Sequence, residues 1–299
     1  MDSATQKINH RMFPKVSVLT TVYNREKYLE DCIKSVLNST YQNWEMIIVD
    51  DQSHDRSVEI AQNYAQIDKR IKVFINEVNL GDYPNRNKAA SLAKGQYLKY
   101  LDADDIIYPN GLEIMVDSMD SFPSAALGIS QKVVEDVKPY PFLLSPKESY
   151  YREFVMRGVM GAPPTNTIIR KDIFEALGGF TGERYVGDTE FWFRIAQQHD
   201  ILKIVPDLVF WREHENQEYK KGMVTNSYLV NNYRIVMQML GSDLCPLEEN
   251  ERRLAINKYN HRLSRDLIRL LINQKSIIKV NQIRKSCNRS WLEVLKSAF

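Results

Sequence analysis

The chain has 299 residues, with 40 Lys and Arg against 38 Asp and Glu, so its formal charge is only +2. A hydrophobic fraction of 43% and a charged fraction of 26% are ordinary for a globular core and exclude wholesale disorder. The same balance gives no support to a chain-wide basic nucleic-acid binder, and no stretch approaches the ~18 consecutive apolar residues of a membrane span. The first thirteen residues are mostly polar and lack the apolar run of a secretory signal. Cys32, Cys245 and Cys287 lie far apart with no CxxC pair. That usage points to reduced thiols in a cytoplasmic setting and away from a disulfide framework or a zinc module.

In chain order, Val16-Ser17-Val18-Leu19-Thr20 predicts a first strand ending near Val22. From Glu26 to Asn38 the spacing of Tyr28, Leu29, Cys32, Ile33, Val36 and Leu37 predicts a helix. Trp44 to Val49 reads as a buried strand that runs into Asp50-Asp51. Asp55 can cap a helix through Ala65, Ile71 to Ile75 is a third strand, and Pro84 to Lys94 a helix that Gly95 is placed to stop. Gln96 to Leu101 is a fourth strand, ending in Asp102-Ala103-Asp104-Asp105. Residues 125–209, with Pro139, Pro141, Pro146, Pro163 and Pro164 among their prolines and with Gly178-Gly179, read as extended or loop-rich structure with short helices. Helical character resumes from Asp188 to Gln198, and again in Asn226 to Leu240, Glu248 to Ile272 and Ser290 to Ala298.

Strands alternating with helices imply an α/β fold with a mainly parallel sheet, whose ligands bind outside the carboxyl ends of the strands. Both acidic clusters fall on that rim, where unpaired charge need not enter a hydrophobic interior. Asp102 and Asp104, one residue apart, can hold a hard divalent cation that keeps waters and bridges to phosphates; a solvated turn is the plainer alternative. Asp50-Asp51 can bind a base or a ribose hydroxyl, or simply cap the next helix. Asp188 at a helix start is stabilised by the helix dipole, or serves as a general base, with Glu190 the alternative if the helix faces differently. His214 can complete a metal shell or contact phosphate. There is no Gly-x-Gly-x-x-Gly after the first strand and no Walker lysine, which counts against dinucleotide and P-loop sites.

Together these segments resemble glycosyltransferase family 2, with its GT-A fold. The resemblance runs over residues 14–216: Val16 to Asn24, Tyr41-Gln42-Asn43-Trp44-Glu45, Ile48-Val49-Asp50-Asp51-Gln52-Ser53, Asn79-Leu80-Gly81, Arg86-Asn87, Asp102-Ala103-Asp104, Gly178-Gly179-Phe180, Asp188 with Arg194, and Trp211-Arg212-Glu213-His214. No single piece is specific; their order is. The resemblance implies a GT-A domain over 14–220 with a helical extension over 221–299. It implies Thr21, Tyr23 and Asp51 at the nucleotide base, Arg86 at the nucleotide or diphosphate, and Asp102 toward ribose and metal. Asp104 would be the direct ligand of Mn²⁺ or Mg²⁺, His214 would be at metal or diphosphate, and Asp188 would be the catalytic base. Two departures stand out: Gly187-Asp188 where the family commonly has Glu-Asp, which puts acceptor contacts in doubt, and Lys88 where it often has Gly.

The activity so implied is inverting transfer of a sugar from a nucleoside-diphosphate donor, UDP-linked by expectation, to a hydroxyl of a glycan or lipid-linked acceptor in polysaccharide biosynthesis. A sugar nucleotidyltransferase on a related fold is one alternative, although its Gly-rich loop is replaced by Thr20-Thr21-Val22-Tyr23-Asn24; a non-catalytic nucleotide-sugar binder is another. The charge is uneven: residues 240–299 carry +6 and the remainder −4. An ordinary solvated helix surface explains this. The sharper reading has Arg252, Arg253, Arg262, Arg265, Arg269, Lys275 and Lys279 hold the protein peripherally at an anionic membrane, at its inner face.

Overall fold

The computed structural model describes residues 14–133, 138–214, 226–274 and 277–298. Strand β1 (Val16–Val22) leads to helix α1 (Leu29–Leu37), β2 (Trp44–Asp50), α2 (Ser57–Ile67), β3 (Ile71–Ile75), α3 (Asp82–Leu92) and β4 (Tyr97–Tyr100). The short β5 (Ile106–Ile107), α4 (Gly111–Ser121), β6 (Ala125–Ile129), β7 (Phe142–Leu144) and α5 (Pro146–Tyr150) follow. Next come a π-helical turn at Tyr151–Val155, β8 (Thr167–Arg170), α6 (Lys171–Ala176), α7 (Gly187–Ala196), β9 (Asp200–Lys203) and β10 (Val209–Phe210). Helices α8 (Ser227–Gly241), α9 (Glu249–Gln274), α10 (Ile277–Ser286) and α11 (Trp291–Ala298) complete the described chain.

One sheet takes eight strands in the order β3-β2-β1-β4-β8-β6-β9-β7, and β10 pairs with β5 in a second. β1, β2, β3 and β4 pair in parallel, as do β6 and β9; β8 and β7 pair only antiparallel. The expected α/β architecture is thus present, with two reversed strands in the half of the sheet where proline obscures the pattern. Alternation sorts side chains to the two faces: Val18, Met46 and Ile48 join one core, and Leu19, Ile47 and Val49 the other. Helix α1 forms because Leu29, Cys32, Ile33 and Val36 fall on one stripe, and all four are buried against the sheet.

Several expectations shift on contact with the fold. The α4 and α10 helices were not expected as separate elements. Gly95 does not stop α3, which ends at Leu92 with Ala93 as its cap. Its constraint is closeness: a Cβ there would lie 2.5 Å from the backbone nitrogen of Ser17, so the chain entering β4 can pass β1 only as glycine. The N-cap of α2 is Arg56 and not Asp55, which lies one residue earlier; Asp55 Oδ1 accepts from Ser57 N at 3.0 Å, while Oδ2 accepts from Glu26 N at 3.0 Å and ties two loops together.

The C-terminal helices are not loosely appended. Ile235, Val236, Met239, Leu240, Leu247 and Ala255 belong to the main core cluster. Tyr259 of α9 packs edge-on to Phe154, and Lys258 Nζ donates to the Val155 and Met156 carbonyls. α10 and α11 close a smaller cluster with Leu263, Leu267, Val280, Ile283 and Val294. The boundary expected at 220/221 lies outside the described residues.

Candidate active site at the strand ends

The carboxyl ends of β1, β2 and β4 bring together Thr21 to Asn24, Asp50 to Ser53 and Asp102 to Asp105. Tyr23 stands 46% exposed beside the rim, its ring available for stacking, and Thr21 is half-buried. The loops after β1 and β2 are laced to each other: Asn24 N donates to Ser53 Oγ at 2.8 Å, and His54 N to Asn24 Oδ1 at 2.8 Å.

The acids are less solvated than their rim position suggests. Asp50, Asp51 and Asp105 are each 3% exposed or less. Each carboxylate accepts backbone or amide hydrogens that replace water. Asp51 Oδ1 accepts from Asn76 Nδ2 at 2.7 Å and Leu80 N at 2.8 Å, while Oδ2 accepts from Gly81 N at 2.8 Å. The acid expected at the nucleotide base therefore also organises the Asn76–Gly81 loop that starts α3.

Arg86 reaches from α3 to Asp102: its Nη1 lies 2.8 Å from Asp102 Oδ1 and its Nε 2.8 Å from Asp82 Oδ1. Asp104 faces a different set, with His214 Nε2 at 2.7 Å and Arg25 Nε at 3.3 Å from its Oδ2. Tyr28 stacks on the His214 ring at 5.1 Å. Arg212 underlies the same turn, donating from Nε to the Asp104 carbonyl and from its backbone N to Asp105 Oδ1. Burial and the charge of Asp102 push the Asp105 carboxyl up to about 7. Beneath the turn, Lys99 is fully buried with Nζ donating to the Tyr100 and Thr165 carbonyls, and burial lowers it to about 7.

Asp188 sits in the first turn of α7, where its N–H groups and dipole favour an anion. Desolvation dominates, however, and raises its carboxyl to about 6; Thr189 N–H and the Arg86 charge act the other way. Asp102 and Asp82 add their fields to the same carboxyl, so Asp188 and Asp102 share one electrostatic site. Glu190 does not compete: it is 4% exposed and paired with Arg194 Nε at 2.7 Å.

The chemistry of the donor set fits a divalent cation in part. Asp104 oxygen and His214 nitrogen converge, whereas Asp102 Oδ1 is held by Arg86. Among the described residues no three His, Cys, Asp or Glu side chains form a closed cage. A hard cation with one or two protein ligands and substrate phosphates for the rest needs none.

Sequence reasoning gave no role to Arg25, Tyr28, Asp82 or Tyr83. The available signal was adjacency alone: Arg25 follows Tyr23-Asn24, and Asp82 and Tyr83 sit between Leu80-Gly81 and Arg86.

A model of glycosyl transferase family 2 matches residues 17–178, more than half the chain, and the chain belongs to that family. Among curated relatives it is 29% identical over 296 residues to the putative glycosyltransferase EpsH of Bacillus subtilis, covering 95% of this chain and 82% of that protein. It is 37% identical over 150 residues to the putative teichuronic acid biosynthesis glycosyltransferase TuaG of Bacillus subtilis, covering 50% of this chain and 60% of that one. S. aureus TarS 1–349 in complex with UDP-GlcNAc superposes with a TM-score of 0.70 at 18% identity, over 91% of this chain and 79% of that one. The mannosyltransferase PcManGT from Pyrobaculum calidifontis, in complex with GDP-Man and Mn²⁺, gives 0.59 at 14%, over 97% and 87%. At those identities the structural likeness shows the GT-A fold alone. Family membership makes the chain a glycosyltransferase, and the nucleotidyltransferase and non-catalytic alternatives fall away.

Replacing Asp51 with Ala leaves the Asn76, Leu80 and Gly81 donors without their acceptor. The expected loss is about 1–3 kcal/mol of stability in chemical denaturation. An unchanged midpoint would show that the loop does not depend on this carboxylate.

Proposed function

We propose that the protein is an inverting glycosyltransferase that moves a sugar from a nucleoside-diphosphate sugar, UDP-linked, to a hydroxyl of a glycan or lipid-linked acceptor. Asp188 is its general base. The catalytic part spans 14–220 and the helical extension 221–299. The observation that carries the reading is the half-buried Asp188 carboxyl, raised by desolvation, in the first turn of α7 and in the same electrostatic site as Asp102 and Arg86. The structural neighbours support the donor class, one holding UDP-GlcNAc and another GDP-Man.

In this reading the donor lies across the strand ends, with its base against Thr21, Tyr23 and Asp51. Arg86 and Asp102 hold the ribose and diphosphate side. Asp102, Asp104 and His214 would hold Mn²⁺ or Mg²⁺, which when bound would supply Lewis-acid stabilisation of the diphosphate leaving group. Asp188 accepts the acceptor's hydroxyl proton as that oxygen bonds to the anomeric carbon. The bond from the anomeric carbon to phosphate breaks, and the electron pair leaves with the nucleoside diphosphate. A single displacement inverts the anomeric centre.

The base must be ionised to accept a proton, so transfer should rise as pH increases through about 6, the raised value for Asp188. Asp188→Asn should lower kcat by about 10²–10⁴-fold. Sugar-nucleotide binding by calorimetry should stay near wild type, and equal loss of binding and turnover would remove the base assignment. Chelation should abolish transfer, with Mn²⁺ or Mg²⁺ restoring it. Full chelator-insensitive turnover would remove the metal role of Asp102, Asp104 and His214.

The C-terminal helices are proposed to touch an anionic membrane near a lipid-linked acceptor. No helix among the described residues is long and apolar enough to cross one. Of the expected cations, Arg252 is spent on the Ser242 carbonyl at 2.7 Å and Lys275 lies outside the described residues. Arg253, Arg262, Arg265, Arg269 and Lys279 are exposed, and Ile272, Ile277 and Ile278 stand out beside them at 67%, 64% and 72%. Deleting the extension would strip Leu247 and Ala255 from the core, so charge reversal is the sounder test. Arg265→Glu with Arg269→Glu and Lys279→Glu should abolish co-sedimentation with phosphatidylglycerol vesicles. Wild-type protein that stays in the supernatant would refute the contact.

A further inference from the structure

The departure at residue 187 has a structural counterpart. A Cβ at Gly187 would lie 2.8 Å from both Cε2 and Cζ of Tyr83. The Tyr83 ring cannot readily give way, because it is 7% exposed and packed at 5.3 Å on Phe180. Tyr83 thus occupies space that any side chain at 187 would need at its base. The contact sets the phenol hydroxyl against the first turn of α7. Asp188 N donates to Tyr83 Oη at 3.2 Å, and that hydroxyl lies 3.5 Å from Asp188 Oδ1.

The hydrogen bonds around Asp188 are one-sided. Oδ1 accepts from Thr189 N at 2.7 Å, and Thr189 Oγ1 stands at 3.4 Å from it along with the more distant Tyr83 hydroxyl. Among the described residues, no hydrogen bond to Oδ2 accompanies these. A carboxylate pinned through one oxygen can present the other in a fixed direction, and a base is effective only when its oxygen is aimed at the proton.

We propose that Tyr83 is a positioning residue for the transfer step: seated against Gly187, it holds Asp188 through its backbone N–H and Oδ1 so that Oδ2 faces the acceptor hydroxyl. This rests on Asp188 being the base. The proton moves from the acceptor oxygen to Oδ2, and Tyr83 neither gains nor loses one. The charged groups that face Asp188 are Asp82 and Arg86 from α3 and Asp102 after β4, while Glu190 on its own helix is turned to Arg194.

Tyr83→Phe keeps the ring in its seat and removes only the hydroxyl. Its kcat should fall by about tenfold, with the donor KM within about twofold of wild type. Loss of a donor to the carboxylate disfavours its ionised form, so the acid limb of the kcat–pH profile should move to higher pH. Gly187→Ala, which displaces the ring, should reproduce both changes, and a thermal melt of each variant reports whether it is folded. A folded Tyr83→Phe enzyme with wild-type kcat and an unmoved acid limb overturns the positioning role. Asp188→Asn separates the two ideas. If it retains turnover, the base reading fails. If it is inactive while Tyr83→Phe is unaffected, only the role of Tyr83 fails.

Discussion

Arg86 is the cation on which the acidic rim depends. It is 8% exposed and stretches from the middle of α3 to carboxylates on two different segments, Asp82 one turn back and Asp102 after β4. Without it, Asp82, Asp102 and Asp188 would face one another in a partly dry cleft, and like charges so placed drive one another toward the neutral form. With it, Asp102 is kept beside its own cation while Asp188 stays the acid that burial dominates. Two carboxyl groups of the same intrinsic chemistry are thereby placed in different surroundings, one ion-paired and one desolvated.

The same economy appears in the loops. Buried carboxylates here act as acceptors for backbone hydrogens that would otherwise lack a partner. Asp51 closes the loop before α3, and Glu45 joins β1 and the approach to β4 by accepting from Ser17 Oγ at 2.7 Å and Lys94 N at 2.6 Å. Arg212 does the converse, satisfying the carbonyl of Asp104 and the carboxylate of Asp105 from the segment after β10. A rim built this way is pre-organised, because the groups that would meet a diphosphate are anchored through neighbours that do not.

The C-terminal helices divide similarly between structure and surface. α8 and the first turns of α9 complete the main core, whereas Arg265, Arg269, Ile272, Ile277, Ile278 and Lys279, further along α9 and on α10, are left exposed. The +6 charge of residues 240–299 is therefore not one feature: Arg252 and Lys258 stitch the helices to carbonyls, Arg284 and Arg289 tie α10 to α11, and Arg253, Arg262, Arg265, Arg269 and Lys279 are exposed.

Apolar spacing in the sequence was enough for β1, α1 and β2, whose buried side chains follow it, while α2 and α3 were read from the residues expected to start or stop them. The order of short elements was enough for the family, and strand-end position alone placed Asp51, Asp102 and Asp104 on one rim. The reversed β8 and β7 were not legible, because antiparallel pairing in a proline-rich stretch depends on partners about 40 to 70 residues away. Nor was the burial of Lys99, whose Nζ is satisfied by carbonyls that only folding brings near. Gly187 looked like an isolated departure until the fold set Tyr83, 104 residues earlier in the chain, against it. Residue types and their spacing determined which chemistry the chain carries. Contacts across the chain decided which oxygen, which cation and which ring stand beside it, because excluded volume and desolvation are properties of the packed site and not of any segment.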